Sequence, residues 1–340
     1  MENAIIELEG LTKFYGSLKA VDNLHLTINT GEIFGLLGPN GAGKTTTILM
    51  MLGLTEPSSG RAKVCGYNAT SDPISVKRKV GYMPDSVGFY DSMTAFENLL
   101  YIARLNGLPE AGIEARVQET MELVGLKDAM HKKAAAYSRG MKQRLGLADV
   151  LVRQPSVIIL DEPTLGIDPT GVKEFLNLIR QLSRQQGITV LLSSHHLHQV
   201  QQVCDRVGIF VGGKLLAEGD IHQLSRNLFS EESYLVTVTS KQELPAAPEW
   251  EQSLLLMEAV KKITVSGNAV DVSCTQNITP QLVRFFVEKG LDIMGVQQKE
   301  YGLEEIYQRY FENHLTENAS NGKSSGLFQR SFFRKAAQQK

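Results

Sequence analysis

Short apolar runs bounded by turn residues punctuate the first two-thirds of the chain. Four of them occupy residues 33–37, 157–160, 190–193 and 207–211. Each is too short for a buried helix and shows no polar alternation, which predicts strands covered on both faces. They alternate with helical patterns from the N-terminus to about Arg226, as a mostly parallel α/β sheet requires. Between about residues 93 and 150 the pattern turns almost purely helical. Ile102, Leu105, Val117, Met121, Leu123 and Val124 supply its apolar positions. This predicts a helical subdomain inserted into a sheet domain spanning 1–226.

Residues 227–311 carry a different pattern. Strands are expected at 234–238 and 292–296, with a hairpin of 262–265 and 269–273 around Ser266-Gly267-Asn268. Helices are expected at 280–289 and 303–311. One more helix before the hairpin would complete a ferredoxin-like βαββαβ unit, a small α+β domain. It contains no catalytic constellation, which points to a structural or interaction role. Residues 312–340 are rich in Asn, Ser, Gly, Lys and Gln and are expected to form a flexible tail. Its basic and aromatic end, 327–335, could touch a membrane surface or a partner, or be a sticky end only.

The run at 33–37 leads into Gly38-Pro39-Asn40-Gly41-Ala42-Gly43-Lys44-Thr45-Thr46. The spacing G-x-x-x-x-G-K-[ST] between a strand and a helix defines a phosphate-binding loop. Its glycines let backbone N–H groups curl around a phosphate, and the N-terminus of the helix expected at 46–52 favours an anion. Lys44 would reach the β- and γ-phosphates, and the Thr45 hydroxyl would hold Mg²⁺.

Asp161 and Glu162 follow the run at 157–160. Asp161 is expected to position Mg²⁺, directly or through water, and Glu162 to act as general base on the attacking water. Ser193-Ser194-His195 ends another strand, which places His195 within reach of a γ-phosphate or that water.

Together these motifs resemble the ATP-binding cassette (ABC) ATPases over about residues 5–226, and identify the expected fold as a P-loop cassette. The resemblance implies that Tyr15 stacks on adenine, with Phe14 as a competitor. It implies that Tyr137-Ser138-Arg139-Gly140-Met141 stands where the family has Leu-Ser-Gly-Gly-Gln. That segment starts a helix and faces the ATP of the other subunit, so Ser138 and Gly140 are expected to bind nucleotide there. Arg139 could add charge near the partner's phosphates, or face solvent. Leu165-Gly166-Ile167-Asp168 matches the D-loop, which crosses the dimer interface. Asp85, in Tyr82-Met83-Pro84-Asp85, replaces the usual Q-loop Gln. It accepts hydrogen bonds only and could still hold Mg²⁺ through water. The Pro-Asp variant and the extra C-terminal domain are similar to the exporter branch of the family.

One phosphate loop and one signature per chain imply a head-to-tail dimer with a second copy of itself, ATP and Mg²⁺ as ligands, and polytopic membrane permease subunits as partners. The stretch 87–90 with Phe96 is either their docking surface or core packing. No apolar stretch reaches the roughly 20 residues of a membrane span, and the acidic start is not a signal peptide. The expected location is cytoplasmic, held at the membrane through the permease. A net charge of −2 gives no pull toward nucleic acid. The alternatives are a soluble ABC ATPase acting on nucleic acid or ribosomes, and a regulatory nucleotide-binding module. Three cysteines far apart, an odd count with no C-x-x-C or zinc spacing, argue against a disulfide framework.

Overall fold

The computed structural model describes residues 4–228, 234–244, 250–299 and 303–310. The expected tail at 312–340 and Phe311 lie outside the described residues. In chain order the elements of the first part are β1 (Ala4–Tyr15), β2 (Leu18–Asn29), β3 (Ile33–Leu37), α1 (Lys44–Met51), β4 (Ser59–Val64), β5 (Tyr67–Asn68), α2 (Pro73–Lys79) and β6 (Val80–Met83). Then come α3 (Ala95–Leu105), α4 (Ile113–Leu123), α5 (Arg139–Leu151), β7 (Val157–Asp161), α6 (Pro169–Gln186), β8 (Thr189–Ser194), α7 (Leu197–Val203), β9 (Arg206–Val211), β10 (Lys214–Gly219) and α8 (Ile221–Leu228). The chain divides between Leu224 and Ser225 into two compact units.

The first unit is built on a six-stranded sheet ordered β10-β9-β3-β8-β7-β6. All neighbours are parallel except β10, which closes an antiparallel edge on β9. All five residues of β3 and of β7 are buried, as are all six of β8, because both faces of the sheet are covered. The register brings the carboxyl ends of three strands level. Leu36 lies opposite Ser193, and Ser193 lies opposite Asp161. Ligands of open α/β sheets bind at that edge, outside the ends of the strands.

A second sheet, antiparallel and ordered β2-β1-β4-β5, was not foreseen in the run of buried strands. In β2 Val21, Leu24, Leu26 and Ile28 are buried. They share one core with Phe34, Leu36, Ile48, Met51 and Phe210 of the main sheet and α1. Burying a side chain of this size contributes about 1.5–3 kcal/mol.

The helical subdomain consists of α3, α4 and α5. Thr94 and Glu97 form a reciprocal capping box that starts α3. One expected apolar position needs correction: Leu105, at the end of α3, is 68% exposed. Val124 is buried and caps the end of α4. The helix after the phosphate loop starts at Lys44, two residues earlier than the apolar pattern suggested, because Gly43 in the left-handed region supplies its N-cap.

The second unit contains β11 (Tyr234–Ser240), α9 (Glu251–Leu255), β12 (Val260–Ser266), β13 (Ala269–Cys274), α10 (Thr279–Glu288) and β14 (Ile293–Lys299), and residues 303–310 are helical. The sheet order β12-β13-β11-β14 is antiparallel throughout, the arrangement of a ferredoxin-like unit. The helix needed before the hairpin is present as the five-residue α9. Val236, Val238, Val270 and Val272 meet Leu282 and Phe286 in its core.

Candidate nucleotide site

The phosphate loop leaves the central strand β3 and passes into α1. Gly41 has φ 80° and Gly43 φ 106°, conformations that a side chain would strain. Gly43 is also crowded. A Cβ there would lie 2.3 Å from the Ala20 carbonyl oxygen, so the bare backbone lets β2 pass directly against the loop. The hairpin carrying Tyr15 between β1 and β2 belongs to that same strand pair.

Lys44 is buried at 6% exposure. Its Nζ donates to the Gly38 carbonyl at 2.7 Å and the Pro39 carbonyl at 3.2 Å. Burial pulls its pKa below the ordinary 10.5, and the nearby Glu162 and Asp161 carboxylates partly offset this. Thr45 Oγ1 donates to Asp161 Oδ2 at 2.8 Å. The other carboxylate oxygen, Asp161 Oδ1, accepts a short hydrogen bond from Ser193 Oγ. Thr45 and Asp161 thus offer adjoining hard oxygen donors, the ligand type that Mg²⁺ takes. Among the described residues no three His, Cys, Asp or Glu side chains converge as a metal site, so Asp85 does not complete a carboxylate cluster here. Asp85 is exposed beyond the end of β6.

Glu162 sits between the Lys44 ammonium and the His195 imidazole. Lys44 Nζ is 3.6 Å from Oε1, and His195 Nδ1 is 2.9 Å from Oε2. Both carboxylate oxygens are buried, and neither receives a directed hydrogen bond. A buried acceptor left open in this way is available to a water molecule. The Glu162 backbone has φ 48°, a strained conformation of the kind that collects at functional sites. His195 lies against the His196 ring, with centroids 4.0 Å apart. Burial, then His195, pulls the His196 pKa below its usual value.

The structure therefore brings Lys44, Thr45, Asp161, Glu162 and His195 to one edge of the sheet. Tyr15 and Phe14 are 49% and 43% exposed, so the geometry offers both rings to a base. Ser138 is the N-cap of α5, its hydroxyl accepting from the Met141 N–H at 3.3 Å. Among the described residues, no hydrogen bond links Ser138 or Gly140 to the phosphate loop of the same chain.

Tyr137, at the position where the resemblance leads one to expect leucine, packs into the interior. It is 6% exposed, and its hydroxyl donates to the Ala129 carbonyl at 2.9 Å. Arg139 does something neither sequence alternative anticipated: its Nε donates to the Leu165 carbonyl at 2.6 Å. Sequence reasoning also missed the roles of Ser193 and Gln199. Gln199 Oε1 accepts from Thr164 Oγ1 at 2.5 Å. Both contacts depend on strand register and chain packing, which leave no local signal.

Comparisons with known proteins agree with this geometry. The profile of the ABC transporter family matches residues 21–165. The bacitracin transport ATP-binding protein BcrA of Bacillus licheniformis is 37% identical over 309 residues, covering 90% of this chain and 96% of the relative. The linearmycin resistance ATP-binding protein LnrL of Bacillus subtilis is 31% identical over 307 residues, covering 89% and 97%. Among solved structures, cbiO1 of Clostridium perfringens, part of the ABC transporter complex cbiONQ, is similar with a TM-score of 0.61 and 29% identity. It covers 64% of this chain and 89% of that one. The chain belongs to the ABC transporter family as an ATP-binding subunit, a cassette that hydrolyses ATP.

Proposed function

We propose that this subunit closes head to tail with a second copy of itself around two ATP molecules and so drives separate polytopic membrane subunits of an exporter. The observation that carries the reading is the Glu162 carboxylate, whose two oxygens are buried without a hydrogen-bond donor between Lys44 and His195. In this reading Glu162 takes a proton from the attacking water, and Lys44 stabilises charge on the γ-phosphate. His195 holds the reacting end. The loop of residues 38–46, in which Pro39 has no N–H to give, wraps the phosphates with its remaining backbone N–H groups, and Tyr15 covers the base. Thr45 and Asp161 would hold Mg²⁺, with Asp85 a further candidate through water; the ion would neutralise phosphate charge.

Ser138 and Gly140 are exposed or half-exposed at the start of α5, free to face the partner's γ-phosphate. Among the described residues no helix is long and apolar enough to cross a membrane; in this reading other chains form the transport path. The subunit would then sit peripherally on the cytoplasmic face. Relatives named for bacitracin transport and linearmycin resistance favour export of antibiotic-like compounds, with selectivity set by the membrane subunits.

The test is Glu162→Gln in the full-length chain. It should keep ATP binding, lose hydrolysis by at least about 100-fold, and elute as a dimer only with ATP. Wild-type turnover would remove Glu162 from this role, and an ATP-bound monomer would remove the head-to-tail dimer. Co-purification with a polytopic membrane protein supports transport; co-purification with ribosomes overturns it.

A further inference from the structure

The start of α5 is tied to the turn that follows Glu162 in the same chain. Arg139 Nε donates to the Leu165 carbonyl at 2.6 Å. Leu165 belongs to the turn that begins at the general-base candidate, because its N–H donates to the Glu162 carbonyl at 3.1 Å. Gly166 makes room for the arginine. Its φ is 75°, and a Cβ there would lie 2.6 Å from Arg139 Nε. Five residues further along α5, Arg144 Nη2 pairs with Glu174 Oε2 of α6 at 2.8 Å. On its other side the turn is fastened by Thr164 to Gln199 of α7, the helix that follows His195.

We propose that Arg139 is a positioning residue that couples the two composite sites of the dimer. Its grip on Leu165 makes the surface a subunit lends to its partner's ATP move together with the turn that sets the subunit's own Glu162. The inference rests on the head-to-tail reading. A guanidinium–carbonyl bond is charge-assisted and directional, so it resists independent movement of the two segments more than a neutral contact would. A coupling of this kind appears as cooperativity between sites. It also accounts for the arginine at a position where the family resemblance leads one to expect glycine.

The experiment measures ATP hydrolysis against ATP concentration for the purified full-length chain and three variants. Arg139 is exposed, so Arg139→Ala leaves the fold intact. It should lower kcat about fivefold and bring the Hill coefficient from the wild-type value, expected between about 1 and 2 for two coupled sites, down to about 1, with fluorescent-ATP affinity unchanged within about twofold. Two further variants separate the latch from a direct charge on the partner's phosphates. Glutamine carries an N–H donor at the same chain position as Arg Nε but no charge, so Arg139→Gln should restore most of kcat and of the cooperativity. Arg139→Lys keeps the charge without that donor and should not. The proposal is overturned by wild-type kcat and cooperativity in Arg139→Ala, by a loss confined to KM, or by rescue with Lys and not Gln. ATP-dependent dimers of Glu162→Gln are scored separately: their absence condemns the head-to-tail reading, whereas their presence with an unaffected Arg139→Ala condemns only the latch.

Discussion

The Lys44 ammonium and the Glu162 carboxylate, 118 positions apart in sequence, lie 3.6 Å from each other in the structure. Lys44 comes from the first turn of α1, and Glu162 from the residue after β7. Strand β8 lies between β3 and β7 in the sheet, and its Ser193 carbonyl accepts the Glu162 N–H at 3.1 Å. Lys44→Met keeps the side-chain length and removes the charge. Hydrolysis should fall by at least about 100-fold, the scale of losing one electrostatic stabiliser of the transition state. A coupled-enzyme phosphate assay checks this, with circular dichroism to show that the fold persists.

Tyr15 and Phe14 compete for the base. Lys13 Nζ lies 5.2 Å from the Tyr15 ring centroid and Lys19 Nζ 5.3 Å from that of Phe14. Both rings are exposed, so neither substitution should change stability much. Tyr15→Ala should weaken ATP binding about tenfold, equivalent to about 1.4 kcal/mol, and Phe14→Ala less than about twofold. Titration with a fluorescent nucleotide decides, and the opposite ranking transfers the stacking role to Phe14.

Burial pushes the Cys65 and Cys274 thiols up to about 11 from 9.0, and raises Cys204 as well. A raised thiol pKa means less thiolate at a given pH, and the thiolate is the reactive form. At pH 8 a thiol of pKa 11 is about 0.1% ionised, against about 10% for one of pKa 9. Native protein should therefore react with iodoacetamide about 100-fold more slowly than denatured protein, and the rate should climb about tenfold per pH unit up to about pH 10. Intact-mass kinetics read both.

Trp250 is the chain's single tryptophan and lies edge-on to Phe286, with ring centroids 5.1 Å apart. Its fluorescence reports on the second unit alone. Phe286 is fully buried, so Phe286→Ala should destabilise that unit by about 3–5 kcal/mol. A urea titration followed at the tryptophan should show its midpoint fall accordingly.

Much of the fold and site was legible along the chain. The phosphate loop was clear because eight consecutive residues carry the whole device, and Asp161-Glu162 because two carboxylates directly follow four apolar residues. The ferredoxin-like unit showed itself through a short hairpin around Ser266-Gly267-Asn268. The sheet made by β1, β2, β4 and β5 did not. Between Leu8 and Leu11 the pairing of β1 with β2 shifts register, with Gly10 at φ 58°, and such a bulge breaks the period-two alternation that marks a strand.

The sequence by itself determined which groups are available: a phosphate loop, a carboxylate pair, a histidine at a strand end and a serine that caps a helix. These are local, set by a few adjacent residues and their backbone preferences. Only the tertiary structure decided how they meet. Ser193 reaches Asp161 because β7 and β8 pair in one register, and Arg139 reaches Leu165 because α5 packs where the chain turns after Glu162. Register and packing are settled by the burial of whole sheet faces and helix stripes, a property of many residues at once, and so no short stretch of sequence records them.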